Sequence, residues 1–291
     1  MTTRRYLQLD VFADRPGAGN PLGVVFDASD MTGEEMQAYA AWANLSETIF
    51  FLPASSADAD YRVRIFTPRQ ELPFAGHPSV GAAWAALDSG LSHAKQGRLL
   101  QECAAGLLPV RIEERGTRRV IHIRTPHARE VQARLQHEEA LALALEGLAL
   151  GEIAPALWNN GPNWWLVELA DADAVRAMRP ELAAIASLTA ASDAVGLAVF
   201  GRAGVADHDL AVRAYCPAEG IPEDPVTGSA NASIAALLHH AGALPGAEGS
   251  YIASQGRELG RDGRVEVRVD EQAEVWIGGQ VQAVIRGSVD W

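Results

Sequence analysis

Three short stretches place chemically useful side chains where the chain is about to enter an apolar element. "NLSETIFFL" carries Glu47, "LPFAGHPSVG" carries His77, and "PEDPVTGSANAS" carries Asp224 and Ser229. A histidine titrates near neutrality and serves as acid or base. A carboxylate half-buried at the edge of an apolar strand is pushed toward the range of a general base. The start of a helix exposes unpaired N–H groups and a positive dipole end, which suit an anion. Together these are the parts of a proton-transfer site for a small acid. Glu47, His77 and Asp224 are the candidate catalytic residues, and Asn20, Gly76, Gly228 and Ser229 the candidate binding residues.

Each residue also has a plainer reading. His77 reads as a turn residue before Pro78 at a first helical position, and Asp224 as an N-cap before Pro225. Glu47 reads as a solvated connector, and the amide of Asn20 in "GNP" as part of a turn. Glu223 next to Asp224 offers a carboxylate pair. "GAG" at 17–19 precedes no helix and is no dinucleotide fingerprint. The sequence holds no phosphate loop, zinc cluster or nucleophile elbow, and no metal site is expected. Cys103 and Cys216 form no metal or disulfide pattern.

Composition narrows the partners. The chain has 291 residues and a net charge of −13, which argues against nucleic acid and anionic membranes. No apolar run approaches the ~20 residues of a spanning helix, and the first residues pass straight into a strand pattern without a signal segment. The expectation is a soluble cytoplasmic protein with reduced thiols and a small anionic metabolite as ligand. A local field at helix starts lets an acidic protein hold an acid.

The elements that must position these residues can be read from pattern. Leu7, Leu9 and Val11 alternate with polar residues as a strand does. Thr32 and Glu35 form a capping box ahead of a helix that Asn44 closes. "TIFFLP" and "YRVRIF" read as strands, and "PSVGAAWAALD" as an apolar helix over 78–88. "LLPVRIEE" and "RVIHIRT" form a hairpin about Gly116. In the second half, "NWWLVEL", "AVGLAVF" and "HDLAVRAY" are strands, "DADAVRAMRPELAAIAS" a helix broken at Pro180, and 229–243 a second apolar helix. Helices apolar on nearly all sides are buried.

The two halves repeat the same order of parts. An ungapped offset of 149 residues sets Arg64 on Arg213, Phe66 on Tyr215, Pro68 on Pro217 and Pro73 on Pro222. The expected fold is α+β: two pseudo-symmetric lobes, each a mostly antiparallel sheet wrapped around a central buried helix. The expected domains are 1–127, completed by 281–291, and 128–280. Such lobes would aim both helix starts into one interdomain cleft.

Taken together, "GNPLGVVFDA", "NLSETIFFLP", "RIFTPRQELPFAGHPSVG", "PEDPVTGSANAS" and "SQGRELGRDGRVEV" resemble the PhzF family in sequence and in order. The resemblance implies the diaminopimelate epimerase-like fold and a cofactor-independent isomerase. It makes Glu47 the proton-shuttling base, with His77 and Asp224 binding substrate and managing protons, and Ser229 the serine of the family's motif. The phenazine enzyme of the family converts trans-2,3-dihydro-3-hydroxyanthranilate to a ketone tautomer, and the resemblance implies a homodimer. The epimerase cousins use one cysteine per lobe, but the offset sets Cys216 on Thr67 and gives Cys103 no partner. A binding protein of the same fold with little turnover is the alternative.

Overall fold

The computed structural model describes residues 2–204 and 207–291. The chain divides into two compact units, Met1–Arg124 with Gly278–Trp291, and Thr125–Ile277.

The first unit contains β1 (Thr3–Val11), β2 (Asn20–Val25), α1 (Gly33–Ala43), β3 (Glu47–Leu52), β4 (Tyr61–Phe66), β5 (Glu71–Leu72), α2 (Gly76–Asp88), β6 (Arg98–Cys103), β7 (Gly106–Arg115) and β8 (Arg118–Arg124). β1–β2, β3–β4, β4–β5, β6–β7 and β7–β8 pair antiparallel, whereas β2–β3 and β4–β6 pair parallel. The parallel pairs need crossovers, which α1 and α2 supply. The capping box of Thr32 and Glu35 starts α1, and Asn44 stops it in the left-handed conformation. Nearly every side chain of α2 is buried, and the helix lies against β1, β2, β3, β4, β6 and β8. Small residues permit that approach: at Gly81 a Cβ would collide with Leu22.

The second unit contains β9 (Arg129–Val131), α3 (Glu138–Ala144), β10 (Ala156–Asn159), β11 (Asn163–Glu168), α4 (Ala172–Ala177), α5 (Leu182–Ala191), β12 (Gly196–Arg202), β13 (Leu210–Cys216), β14 (Ile221–Asp224), α6 (Gly228–His240), β15 (Ser250–Gln255) and β16 (Gly263–Val269). Its pairing order repeats the first: β10–β11 antiparallel, β11–β12 parallel, β12–β13 and β13–β14 antiparallel, β13–β15 parallel, β15–β16 antiparallel. The buried helix α6 packs on β10, β11 and β16. β17 (Val275–Gly279) leads out of this unit. β18 (Val281–Asp290) then pairs antiparallel with β1 and so belongs to the first sheet.

Two expectations shift. The offset of 149 would set Gly76 on Pro225, but α6 opens at Gly228, three residues later. The 3₁₀ turn Pro217–Glu219 and the left-handed Gly220 take up the extra length, so Pro73 and Pro222 are not counterparts. The helix expected over 78–88 begins at Gly76, which puts Pro78 third. A proline is tolerated there because first-turn N–H groups have no intrahelical acceptor anyway. Among the described residues, no helix is long and apolar enough to cross a membrane.

Candidate active site

In the first unit a buried aspartate shapes the approach to the site. Asp10 accepts the N–H groups of Gly17 and Gly19 at 2.6 and 3.1 Å, which folds the 12–19 loop back on β1. Gly19 is required there because a Cβ would strike the carbonyl of Val11. The loop delivers Asn20, fully buried, and Pro21 to the start of β2. The parallel pairing of β2 with β3 then sets Leu22 opposite Glu47.

Glu47 is the first residue of β3 rather than a solvated connector: its side chain is only 16% exposed, and Oε2 lies 3.4 Å from His77 Nε2. His77 is the second residue of α2 and is buried. Burial pushes its pKa down to about 3, against a hydrogen bond with the Pro21 backbone that works the other way. The ring is therefore neutral at physiological pH. A neutral imidazole has one N–H and one lone pair. Proline offers only a carbonyl, so the ring gives it its N–H and keeps a lone pair. Among the described residues, no side chain caps the start of α2, and buried Thr48 Oγ1 beside Glu47 has no hydrogen-bond partner.

The second unit builds the matching place differently. Asp224 ends β14 and does not cap α6; the N-cap is Thr227. The Thr227 hydroxyl donates to Asp224 Oδ2 at 2.5 Å and accepts from Gln255 Nε2 at 2.9 Å. Gln255 also donates to the Asp224 carbonyl and accepts from Thr227 N–H and from Asn231 Nδ2. Glu223 is not half of a carboxylate pair with Asp224, because Arg213 holds it by two hydrogen bonds of 2.9 Å. Ser229 Oγ accepts from Trp164 Nε1 at 3.1 Å, and its carbonyl from Asn160 Nδ2 at 2.8 Å.

The predicted residues thus fall into two groups. Asn20, Glu47, Gly76 and His77 gather at the start of α2, and Asp224, Gly228 and Ser229 at the start of α6. Gln255, Thr227, Trp164 and Asn160 were not singled out from sequence. Gln255 lies in "ASQG" and Trp164 in "NNGPNWW", where nothing distinguishes a buried hydrogen-bonding role from an ordinary strand end. Among the described residues, no three His, Cys, Asp or Glu side chains are grouped to hold a metal. A cavity of about 410 Å³ in the first unit, lined by Arg5, Tyr6, Asp88 and Arg286, contains none of these residues.

A duplicated sheet around a buried helix, with a carboxylate set against a neutral imidazole at one helix start, defines a diaminopimelate epimerase-like fold carrying acid–base groups. Residues 9–287 match the PhzC-PhzF family, described as phenazine biosynthesis-like protein, and the chain belongs to that family. It is 35% identical over 270 residues to trans-2,3-dihydro-3-hydroxyanthranilate isomerase of Pseudomonas aeruginosa, covering 93% of this chain and 92% of that one. It is 33% identical to antisense-enhancing sequence 1 of Schizosaccharomyces pombe, covering 99% of each chain. The crystal structure of a Bacillus anthracis phenazine biosynthesis protein of the PhzF family superposes over 100% of both chains, with a TM-score of 0.84 and 29% identity. Isomerase is the enzyme class in which the chain falls.

Proposed function

We propose that the protein is a cofactor-independent isomerase that moves a proton on a small carboxylate-bearing metabolite, of the kind named for its P. aeruginosa relative. The observation that carries this reading is the Glu47–His77 pair, a mostly buried carboxyl 3.4 Å from a neutral imidazole at the start of a buried helix. A hydrogen shift needs one group that can both take and return a proton. Glu47 is that group. The imidazole lone pair can accept a hydrogen bond from the carboxylic acid, so the proton can rest on Glu47 between the two halves of the reaction. His77 stays neutral and orients the carboxyl without competing for the charge. The opening N–H groups of α2 supply hydrogen bonds for the substrate's anionic oxygens; Asp224 and Ser229 form the corresponding polar group at the start of α6 in the second unit.

Glu47→Gln preserves shape and hydrogen bonding but removes the base. With trans-2,3-dihydro-3-hydroxyanthranilate in D₂O, turnover and solvent deuterium uptake should fall at least ~10²-fold, while calorimetry with the stable analogue 3-hydroxyanthranilate shows affinity largely kept. Undiminished turnover in the glutamine variant would rule out Glu47 as the base.

A further inference from the structure

Ser229 is gripped on two oxygens. Trp164 Nε1 donates to its hydroxyl and Asn160 Nδ2 to its carbonyl. An indole N–H can only donate, so the hydroxyl oxygen is the acceptor in that bond and its own proton must point elsewhere. Among the described residues nothing accepts it. Trp164 is 2% exposed, and its place depends on the facing strand. β11 and β12 pair Trp164 with Gly196, where a Cβ would come 2.5 Å from the Trp164 ring and 2.5 Å from the Tyr215 carbonyl. No side chain other than glycine's leaves the indole where it is.

The backbone beside Ser229 has the same polarity. The first intrahelical bond of α6 runs from Asn231 N to Thr227 O, so the N–H groups of Gly228, Ser229 and Ala230 have no acceptor within the helix. The Thr227 N–H is already taken by Gln255. What remains beside the Ser229 hydroxyl is a set of donors.

We infer that Trp164 is a positioning residue that fills one lone pair of the Ser229 hydroxyl and turns its proton away from the indole, so that the start of α6 takes its ligand through an acceptor oxygen and disfavours a donor group at the same point. The choice of a carboxylate as that acceptor rests on the function proposed above; the hydroxyl lock itself does not. A ligand that presents N–H there meets the N–H groups of Gly228, Ser229 and Ala230 and a hydroxyl with one lone pair already taken, which is how a polar site disfavours a close analogue.

Two measurements test this. The first needs no ligand: the Trp164 indole ¹H–¹⁵N resonance, assigned by its loss in Trp164→Phe, should shift and exchange faster with solvent in Ser229→Ala. The second is calorimetry with 3-hydroxyanthranilate and its primary amide. Wild type should prefer the acid. Trp164→Phe, which keeps an aromatic ring and removes the N–H, should reduce that preference roughly three- to tenfold. Ser229→Thr should retain it. In a Ser229→Ala background the tryptophan change should add nothing, because both act through one hydroxyl. An unmoved indole resonance, or an unchanged acid-to-amide ratio in Trp164→Phe, overturns the inference. If wild type binds neither probe, the carboxylate reading falls, and the indole resonance alone decides whether the lock exists.

Discussion

The starts of α2 and α6 occupy the same place in two sheets of the same topology, yet they carry different chemistry. Thr48 pairs with Phe66 in one unit and Leu197 with Tyr215 in the other, so Glu47 and Gly196 are counterparts. The neighbouring parallel pairs match Leu22 with Trp164, and the second helical residues match His77 with Ser229. One unit holds a carboxyl and an imidazole; the other holds a glycine, an indole over it and a hydroxyl. A fold that repeats itself need not repeat its side chains: the carboxyl–imidazole pair stays in one copy, and at the matching place the other copy has an indole bonded to a hydroxyl. The shared framework shows in a second pair. Arg64 forks onto Glu71 and stacks on Phe66, as Arg213 forks onto Glu223 and stacks on Tyr215.

That second pair gives the largest expected contrast. The side chains of Arg213 and Glu223 are 7% and 10% exposed, and Arg213 also donates to the carbonyls of Val175 and Met178. Arg213→Ala strands a buried carboxylate and should cost ~3–5 kcal/mol. Arg64 and Glu71 are 27% and 35% exposed, so Arg64→Ala should cost ~1 kcal/mol or less. Urea unfolding of both variants reads the difference, and equal losses would mean that the two copies share energetics as well as geometry.

Next comes Gly196. Its neighbour is a backbone carbonyl, which cannot swing aside, so Gly196→Ala should cost ~1–3 kcal/mol through overpacking. A variant with an unshifted melting temperature would show that the second unit could have carried a side chain at the position that corresponds to Glu47.

The last contrast is one of pH, and it is small over any single pH unit. His77 has a folded pKa of about 3, below its ordinary value of 6.5. The unfolded chain therefore binds a proton that the folded chain refuses. The His77 contribution is fully present above pH 6.5 and is lost as pH falls toward 3, at up to ~1.4 kcal/mol per pH unit. His77→Gln should flatten that part of the stability curve, whereas Ser229→Ala should leave its slope intact. If the glutamine variant keeps the wild-type slope, the imidazole is not the group that burial holds neutral.

Much of this was legible in the sequence because it is local. The capping box at Thr32 and Glu35, the stop at Asn44, the helix interrupted about Pro180 and the hairpin at Gly116 depend on residues a few positions apart. The repeat was legible up to the strand that carries Arg64 and Arg213. It then slipped, because an ungapped comparison cannot see the longer turn before Asp224. Asp224 followed by proline has the form of an N-cap, but Gln255 fixes the turn through Thr227 and moves the helix start to Gly228. The closeness of Glu47 to His77 depends on where β2 lies between β1 and β3, a long-range pairing that no local pattern encodes.

The last strand of the first sheet has a consequence for synthesis. β18 follows the whole second unit in the chain, yet pairs along β1, and Thr2 and Trp291 exchange backbone hydrogen bonds at 3.1 and 3.3 Å. Domains made on the ribosome ordinarily fold in the order in which they emerge. Here the first unit emerges first but cannot close, because one edge of β1 stays unpaired until the residues of β18 have left the exit tunnel. Through that interval the nascent chain presents an open strand edge, the kind of surface that recruits other strands. The second unit, continuous in sequence, can finish folding sooner, so the half that holds Glu47 and His77 is the last to be completed.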